Sequence, residues 1–257
     1  PIRILAKSAE SFGKGEKISF SPSGATEVRQ AGHAFISMRA RIERHLEQRT
    51  AMLSGVSHDL RTPLTRMKLS ISLMEKDDLL DDLQGDVKEM EDILNEFLAF
   101  SRGDSGEEFS IVDPKKLIKT LIKERKRLNH NVSLNLDNIG SDKIKFKCKA
   151  LAISRAINNL LSNAAKHSEK TIVSVKSTSD TLSFIVEDSG KGIPKDLRQK
   201  AIRPFERLDT SRNQNKGIGA GLGLAIVSDI ARSHGGKLIL NHSNDLGGLR
   251  AEIQIPL

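Results

Sequence analysis

The feature that most limits how this chain can fold is a hydrophobic repeat that runs on from Phe35 to Met74 without a stop signal. Phe35, Met38, Ile42, Arg49, Val56, Leu60, Met67, Ile71 and Met74 keep spacings of three, four and multiples of seven; His45 or Leu46, Leu53, and Pro63 or Leu64 fill the gaps. A repeat sustained over this length predicts a long helix in a coiled coil or bundle. Glu75 to Asp78 form a short polar break, and Leu80, Leu83, Val87, Met90, Leu94 and Phe97 then resume the same period. Two such helices joined by a short loop make an antiparallel hairpin. One hairpin has too little core to stand alone, so pairing with a second copy into a four-helix bundle is expected.

The flanks read differently. Ile2, Leu5 and Phe12 mark a short first helix; Gly13 to Gly24, rich in Gly, Ser and Pro, reads as a connector, and Thr26 is the expected N-cap of the long helix. After Ser101-Arg102-Gly103-Asp104-Ser105-Gly106, helical and strand patterns alternate to Leu257. Helices are expected over Leu117–Leu128 and Leu151–Lys166. Strands are expected over Val132–Leu136, Ile172–Lys176, Leu182–Glu187, Lys237–Asn241 and Leu249–Ile255. That order describes an α/β sandwich of ordinary domain size. The fold class is thus α plus α/β.

Composition narrows the class of function. At 37% apolar and 29% charged residues the chain reads as a soluble protein, with no run near the roughly 18–20 apolar residues that span a bilayer. It has no secretory leader and begins at Pro1, so it reads as a cytosolic fragment. The one cysteine, Cys148, reads as a small core residue in a reducing compartment. The net charge of +8 is spread along the chain, and there is no Trp or Tyr to stack on bases, so nucleic acid is not an expected partner. Lys143, Lys145, Lys147 and Lys149 alternate with Ile144, Phe146 and Cys148, which predicts an edge strand with one wet lysine face.

Five boxes carry chemistry. His58 falls two positions from Val56 and from Leu60, off the apolar seam, with Asp59 beside it and Thr62 one turn on. A carboxylate that orients one imidazole nitrogen leaves the other free to attack phosphorus, and Thr62 can position a water for the reverse hydrolysis. Pro63 is expected to bend the helix just below. Alone, His58 would pass for an ordinary surface histidine. Asn159 and Asn163, four residues apart, share a helix face; amide oxygens are hard ligands that suit Mg²⁺, and Lys166 adds a cation for phosphates. Asp188-Ser-Gly190-Lys-Gly192 ends a strand, where a carboxylate can accept from an adenine amino group and glycines admit close backbone approach. Pro204-Phe205-Glu206-Arg207 follows, with Phe205 equally readable as a core residue and the arginine as solvated. Last, Gly217-Ile-Gly219-Ala-Gly221-Leu222-Gly223 opens an apolar helix and offers backbone amides to anions. It is neither a Rossmann nor a Walker loop.

In this order the boxes resemble a bacterial sensor histidine kinase, and the stretches around Glu27–Phe35 and Gly55–Arg66 are similar to EnvZ-type osmosensor kinases. The resemblance implies three domains: a HAMP relay coiled coil (1–48), a dimerisation and histidine-phosphotransfer hairpin (49–104), and a catalytic ATP-binding α/β sandwich of the gyrase/histidine-kinase type (105–257). It implies ATP and Mg²⁺ as cofactors, His58 as phosphoacceptor, Asp59 as general base and Thr62 as a helper in phosphatase action. It also implies Asn163 on Mg²⁺, Asp188 on adenine, and a mobile lid bounded by Gly217 to Gly223. His167 stands where the family often has Tyr, and the polar stretch between Arg207 and Gly217, with Arg212, departs from the usual lid. Related hydrolases carry a Glu four residues before the metal asparagine; Asn159 stands there and cannot take a proton from water. A homodimer that phosphorylates His58, passes the group to a response regulator and dephosphorylates that regulator is therefore expected, as the cytoplasmic portion of an inner-membrane sensor. The alternative is a non-catalytic ATP-binding scaffold that docks the regulator.

Overall fold

The computed structural model describes residues 1–13, 19–74, 78–102, 107–127, 130–136, 145–206 and 221–257, with the backbone alone at 46, 49, 54, 78, 79 and 99–102. The chain divides into two compact units, Pro1–Arg102 and Gly103–Leu257.

The first unit is helical: α1 (Ile2–Gly13), α2 (Thr26–Ser72) and α3 (Asp78–Arg102). The heptad stretch forms one helix, and α2 continues through Pro63. Thr26 is not the N-cap. That position falls on Ala25, which offers no side-chain cap, while the Thr26 hydroxyl accepts from Arg29 Nη2 at 3.4 Å. A second Arg29 nitrogen donates to the Gly24 carbonyl at 2.7 Å, so an arginine from the first turn ties down the entry instead. Phe12 and Phe20 both meet the Phe35 ring edge-on, at 6.2 and 6.0 Å, which seats α1 and the connector against α2.

The repeat in α2 and α3 resolves into two stripes. Leu64 and Ile71 on α2 and Leu80, Val87 and Leu94 on α3 are buried and form the hairpin's own core. Leu60, Met67 and Met74, and Leu83 and Met90, keep the same seven-residue spacing, with Val56 one turn before Leu60, but all six stay 44–59% exposed. Ser57 continues the buried stripe one heptad before Leu64. It is 1% exposed, and its hydroxyl has no hydrogen-bond partner among the described residues. A buried orphan hydroxyl opposes folding, and alanine is the better helix former. Ser57→Ala should therefore stabilise the hairpin by about 1 kcal/mol, read as a higher urea midpoint in the helical circular-dichroism signal.

The second unit is a five-stranded sheet in the order β2-β4-β5-β7-β6, from β2 (Val132–Asn135), β4 (Thr171–Ser177), β5 (Thr181–Asp188), β6 (Lys237–His242) and β7 (Leu249–Pro256). Among the described strand pairs, only β2 and β4 are parallel. On β7, Leu249, Ala251, Ile253 and Ile255 are buried and alternate with half-buried Arg250, Glu252 and Gln254, the period of a sheet covered on one face. The covering helices are α4 (Pro114–Arg127), α5 (Ala150–His167) and α7 (Gly223–Ser233); a 3₁₀ turn at Lys195–Leu197 runs into the short α6 (Arg198–Ala201). Ile153, Ile157 and Leu161 on α5 and Val227 and Ile230 on α7 are essentially inaccessible, as are Val173, Phe184 and Ile253 on the sheet.

Three expectations change here. Helix α4 starts three residues early, because Asp113 Oδ1 accepts from the amides of Lys115 (2.8 Å) and Lys116 (3.2 Å) and Pro114 occupies the first helical position. The lysine strand is described only as β3 (Phe146–Cys148); Lys149 is buried and leads into α5, so the wet face does not extend to it. An unanticipated strand, β1 (Ser110–Val112), pairs antiparallel with β3. Lys143 and Ile144 lie outside the described residues.

Cys148 is fully buried, as expected, and burial pushes its thiol from the ordinary 9.0 up to about 12. Iodoacetamide at pH 8 should leave it unmodified until the domain unfolds. The folded thiol keeps its proton where the unfolded one has lost it, so the stability this group contributes is present below pH 9 and is lost as pH rises toward 12. Cys148→Ala should flatten that alkaline decline in urea melts.

Candidate functional site

In the helical unit, His58 and Asp59 project from α2 with side chains 82% and 85% exposed, and His58 Nδ1 sits 3.3 Å from Asp59 Oδ1. The burial of neighbouring Ser57 turns His58 outward. With Nδ1 on the carboxylate, Nε2 has no partner among the described residues and is the nitrogen open to an electrophile. Thr62 is exposed one turn on.

In the sheet unit, Asp188 ends β5 and is buried. Its Oδ1 accepts from the amides of Gly190 (2.9 Å) and Leu249 (3.1 Å), and its carbonyl accepts from Gly248 (3.1 Å). Both described side-chain bonds fall on Oδ1, which leaves Oδ2 for an amino group. Two glycines make this possible. A Cβ on Gly190 would stand 2.6 Å from the His167 carbonyl, and one on Gly248 would stand 2.4 Å from Asp188 Oδ1. Gly248 was not foreseen from sequence; its partner lies 60 residues away across a strand pair, and the only local signal is the Gly247-Gly248 doublet.

An open cavity of about 730 Å³ adjoins this turn, lined by Lys166, His167, Ser168, Glu169, Ser189 and Gly190 among others. The structure thus brings Lys166, His167 and Gly190 together in front of Asp188. Asn159, Asn163, Phe205 and Gly221 do not line that cavity. Both asparagines are half-buried on one face of α5, and neither makes a side-chain hydrogen bond among the described residues. Their neighbour Asn158 has the structural role: Arg125 reaches it through Nε at 3.3 Å and Nη2 at 3.2 Å, tying α4 to α5. Burial lowers the Arg125 pKa, with Glu124 opposing the shift.

Phe205 is no core residue. It is 58% exposed and holds φ at +63°, the one positive φ at a non-glycine among the described residues. Its amide donates to the Gly221 carbonyl at 3.2 Å, so the positions flanking 207–220 are drawn together. Leu222 is fully buried, so it can offer a ligand only its backbone, and Gly223 opens α7. Gly192 takes a left-handed φ of +67°. Arg207, Arg212, Gly217 and Gly219 lie outside the described residues.

Comparison with known proteins fits this two-part arrangement. A family model for the His Kinase A (phospho-acceptor) domain matches residues 48–106, and one for the histidine kinase-, DNA gyrase B- and HSP90-like ATPase matches residues 148–257. The chain belongs to the sensor histidine kinase family. Sensor histidine kinase GtrS of Pseudomonas aeruginosa is 31% identical over 258 residues, covering 100% of this chain and 52% of that protein. Sensor histidine kinase CpxA of Escherichia coli K12 is 29% identical over 280 residues, covering 100% and 58%. The chain therefore spans about half the length of the curated relatives it matches. The crystal structure of full-length ShkA in complex with AMPPNP aligns with a TM-score of 0.61 at 20% identity, over 80% of this chain and 45% of that one, a likeness of fold. The architecture is accordingly a helical hairpin region plus an α/β ATPase domain. Among the described residues no helix is long and apolar enough to cross a membrane.

Proposed function

We propose that this chain is an ATP-dependent protein-histidine kinase that phosphorylates itself on His58. The observation that carries the reading is the open Nε2 of His58, oriented by Asp59, on the domain type that family members use as phosphoacceptor. Asp188 Oδ2 accepts from the adenine amino group, and Gly190 and Gly248 let the backbone close on the base. Lys166 and His167 flank the nucleotide, and the amides of Gly221 to Gly223, at the entry to α7, face its phosphates. Asn163 would hold Mg²⁺ through its amide oxygen with Asn159 one turn away; a single neutral oxygen ligand suits an ion that keeps its waters and takes its other ligands from phosphate. That ion would supply charge neutralisation on the phosphates. Its donor set fits the described residues, among which no cluster of three carboxylate, histidine or cysteine ligands occurs.

The Nε2 lone pair forms the new N–P bond, the bond between the γ-phosphorus and the bridging oxygen breaks, and ADP leaves with those electrons. Asp59 holds the tautomer through Nδ1–H and, as general base, takes that proton as the N–P bond forms. The phosphoryl group then moves to an aspartate carboxylate of a response regulator, and Thr62 orients the water that later removes it there. The exposed stripe Val56, Leu60, Met67, Met74, Leu83 and Met90 supports a homodimer in a four-helix bundle. We further assign 1–48 to a HAMP relay, 49–104 to the phosphotransfer hairpin and 105–257 to the catalytic domain, within a longer membrane-anchored sensor. After incubation with ATP and Mg²⁺, the proteolytic peptide containing His58 should carry a phosphate that survives alkali and is lost in acid. A peptide left unmodified ends the proposal.

A further inference from the structure

Glu187 and Asp188 are consecutive on β5, so their side chains leave opposite faces of the sheet. Asp188 holds the turn at Gly190. Glu187 is 6% exposed and stands in register with Arg250 of β7. Its Oε2 accepts from Arg250 Nη1 at 3.4 Å, and the same guanidinium donates to Glu252 Oε2 at 2.9 Å. Its Oε1 accepts from the Ser243 hydroxyl at 3.0 Å.

Ser243 is fully buried, and every polar group it has is engaged. An ionised carboxylate only accepts, so the Ser243 hydroxyl proton points at Glu187 and a lone pair is left for the Leu246 amide, 3.1 Å away. The Ser243 carbonyl accepts from the Gly247 amide at 2.9 Å, and the Ser243 amide donates to the Gly248 carbonyl at 2.9 Å. These bonds close residues 243–248 into one turn around Ser243. The far end of that turn holds Asp188: Gly248 donates to the Asp188 carbonyl and Leu249 to its Oδ1, both at 3.1 Å. The Gly248 carbonyl would also stand 3.2 Å from a Cβ on Gly192. A buried hydroxyl–carboxylate pair behind the sheet is thus connected, through one turn, to both glycines that follow Asp188 and to Asp188 itself.

We infer that Ser243 and Glu187 are positioning residues that aim Asp188 Oδ2 and so make the pocket select an amino purine over an oxo purine. The inference rests on Asp188 being the residue that reads adenine. Without the hydroxyl, the buried Glu187 Oε1 loses its donor and the Leu246 amide its acceptor, and the turn must shift to replace them. Gly248 and Leu249 supply two of the three described amides on Asp188, so the shift reaches the carboxylate directly. A site built to hydrogen-bond an N–H rejects the analogue that lacks it. A misdirected carboxylate loses that rejection, while contacts to sugar and phosphate stay.

The test is calorimetric titration of the full chain with ADP and with inosine diphosphate, in which a carbonyl oxygen replaces the amino group. Neither can phosphorylate His58, so recognition alone is read. The parent should prefer ADP by at least about tenfold, and Ser243→Ala should cut that preference to within about threefold, with the Kd for inosine diphosphate unchanged within about twofold. Glu187→Leu, which removes the acceptor without leaving a buried charge, should do the same and decides the matter should Ser243→Ala unfold the domain. A folded variant with the parental preference overturns the positioning role. So does an equal weakening of both nucleotides, which marks a general loss of structure. A parent with no preference for ADP removes the assignment of Asp188 to adenine, and this inference with it; a selective parent matched by its variants removes this inference alone.

Discussion

His58→Gln should reduce phosphate incorporation from γ-labelled ATP by at least about 10³-fold, to the limit of detection, under conditions where the parent chain labels fully. The side chain is 82% exposed and makes one described contact, to Asp59, so glutamine fits without repacking and the helix keeps its length and charge. What disappears is the nucleophile. An amide nitrogen has its lone pair delocalised into the carbonyl and cannot attack phosphorus, whereas the imidazole Nε2 can. The nucleotide residues belong to the other compact unit, so the Kd for ATP should stay at the parental value. Parent-level labelling of the glutamine variant would show the acceptor to be elsewhere.

Gly248→Ala should raise the Kd for ATP roughly 10- to 100-fold. The added methyl carbon would lie 2.3 Å from the Asp188 carbonyl oxygen, 2.4 Å from Asp188 Oδ1 and 2.6 Å from the Gly190 amide nitrogen. Two of those atoms are backbone and the third is fixed by two amide bonds, so no rotamer change relieves the overlap. Overpacking of this kind costs about 1–3 kcal/mol, and each 1.4 kcal/mol is a factor of ten in affinity. The strain falls on the carboxylate that we assign to adenine, so binding should suffer more than the melting temperature. Gly85→Ala, whose new Cβ meets nothing within 4 Å in the middle of α3, is the matched control and should leave the Kd unchanged. Titration with a fluorescent nucleotide distinguishes the two, and equal affinities would separate Asp188 from the adenine subsite.

Local periodicity made most of the architecture legible in advance. The heptads of α2 and α3, the apolar face of α5, the apolar runs of β4, β5 and β6 and the alternation in β7 are properties of short windows, and the elements fall within a few residues of expectation. The misses share a different origin. The early start of α4 depends on a single Asp113 carboxylate, β1 is three residues long and exists through its pairing with β3, and Gly248 matters because of a residue across the sheet. Phe205 was equally readable as core or as a site residue, and the left-handed backbone that turns it outward was not visible in its composition. Lys149 looked wet because the lysines alternate, but the turn into α5 buries it. In the candidate site, the Asp188 turn was readable as a strand end followed by glycines, whereas the role of Asn158 in anchoring Arg125 was not separable from its neighbour Asn159.

The two stripes of the hairpin differ by a constant offset of three residues: Leu64 and Met67, Ile71 and Met74, Leu80 and Leu83, Val87 and Met90. Three residues advance a helix by 300°, so a twist of about 60° about each axis carries one stripe onto the other. Leu for Met conserves volume and is tolerated in interiors at under about 1.5 kcal/mol, whereas Val87 and Met90 differ in size. The hairpin is thus cut with two settings about 60° apart, one already meshed inside the chain and the other left facing outward.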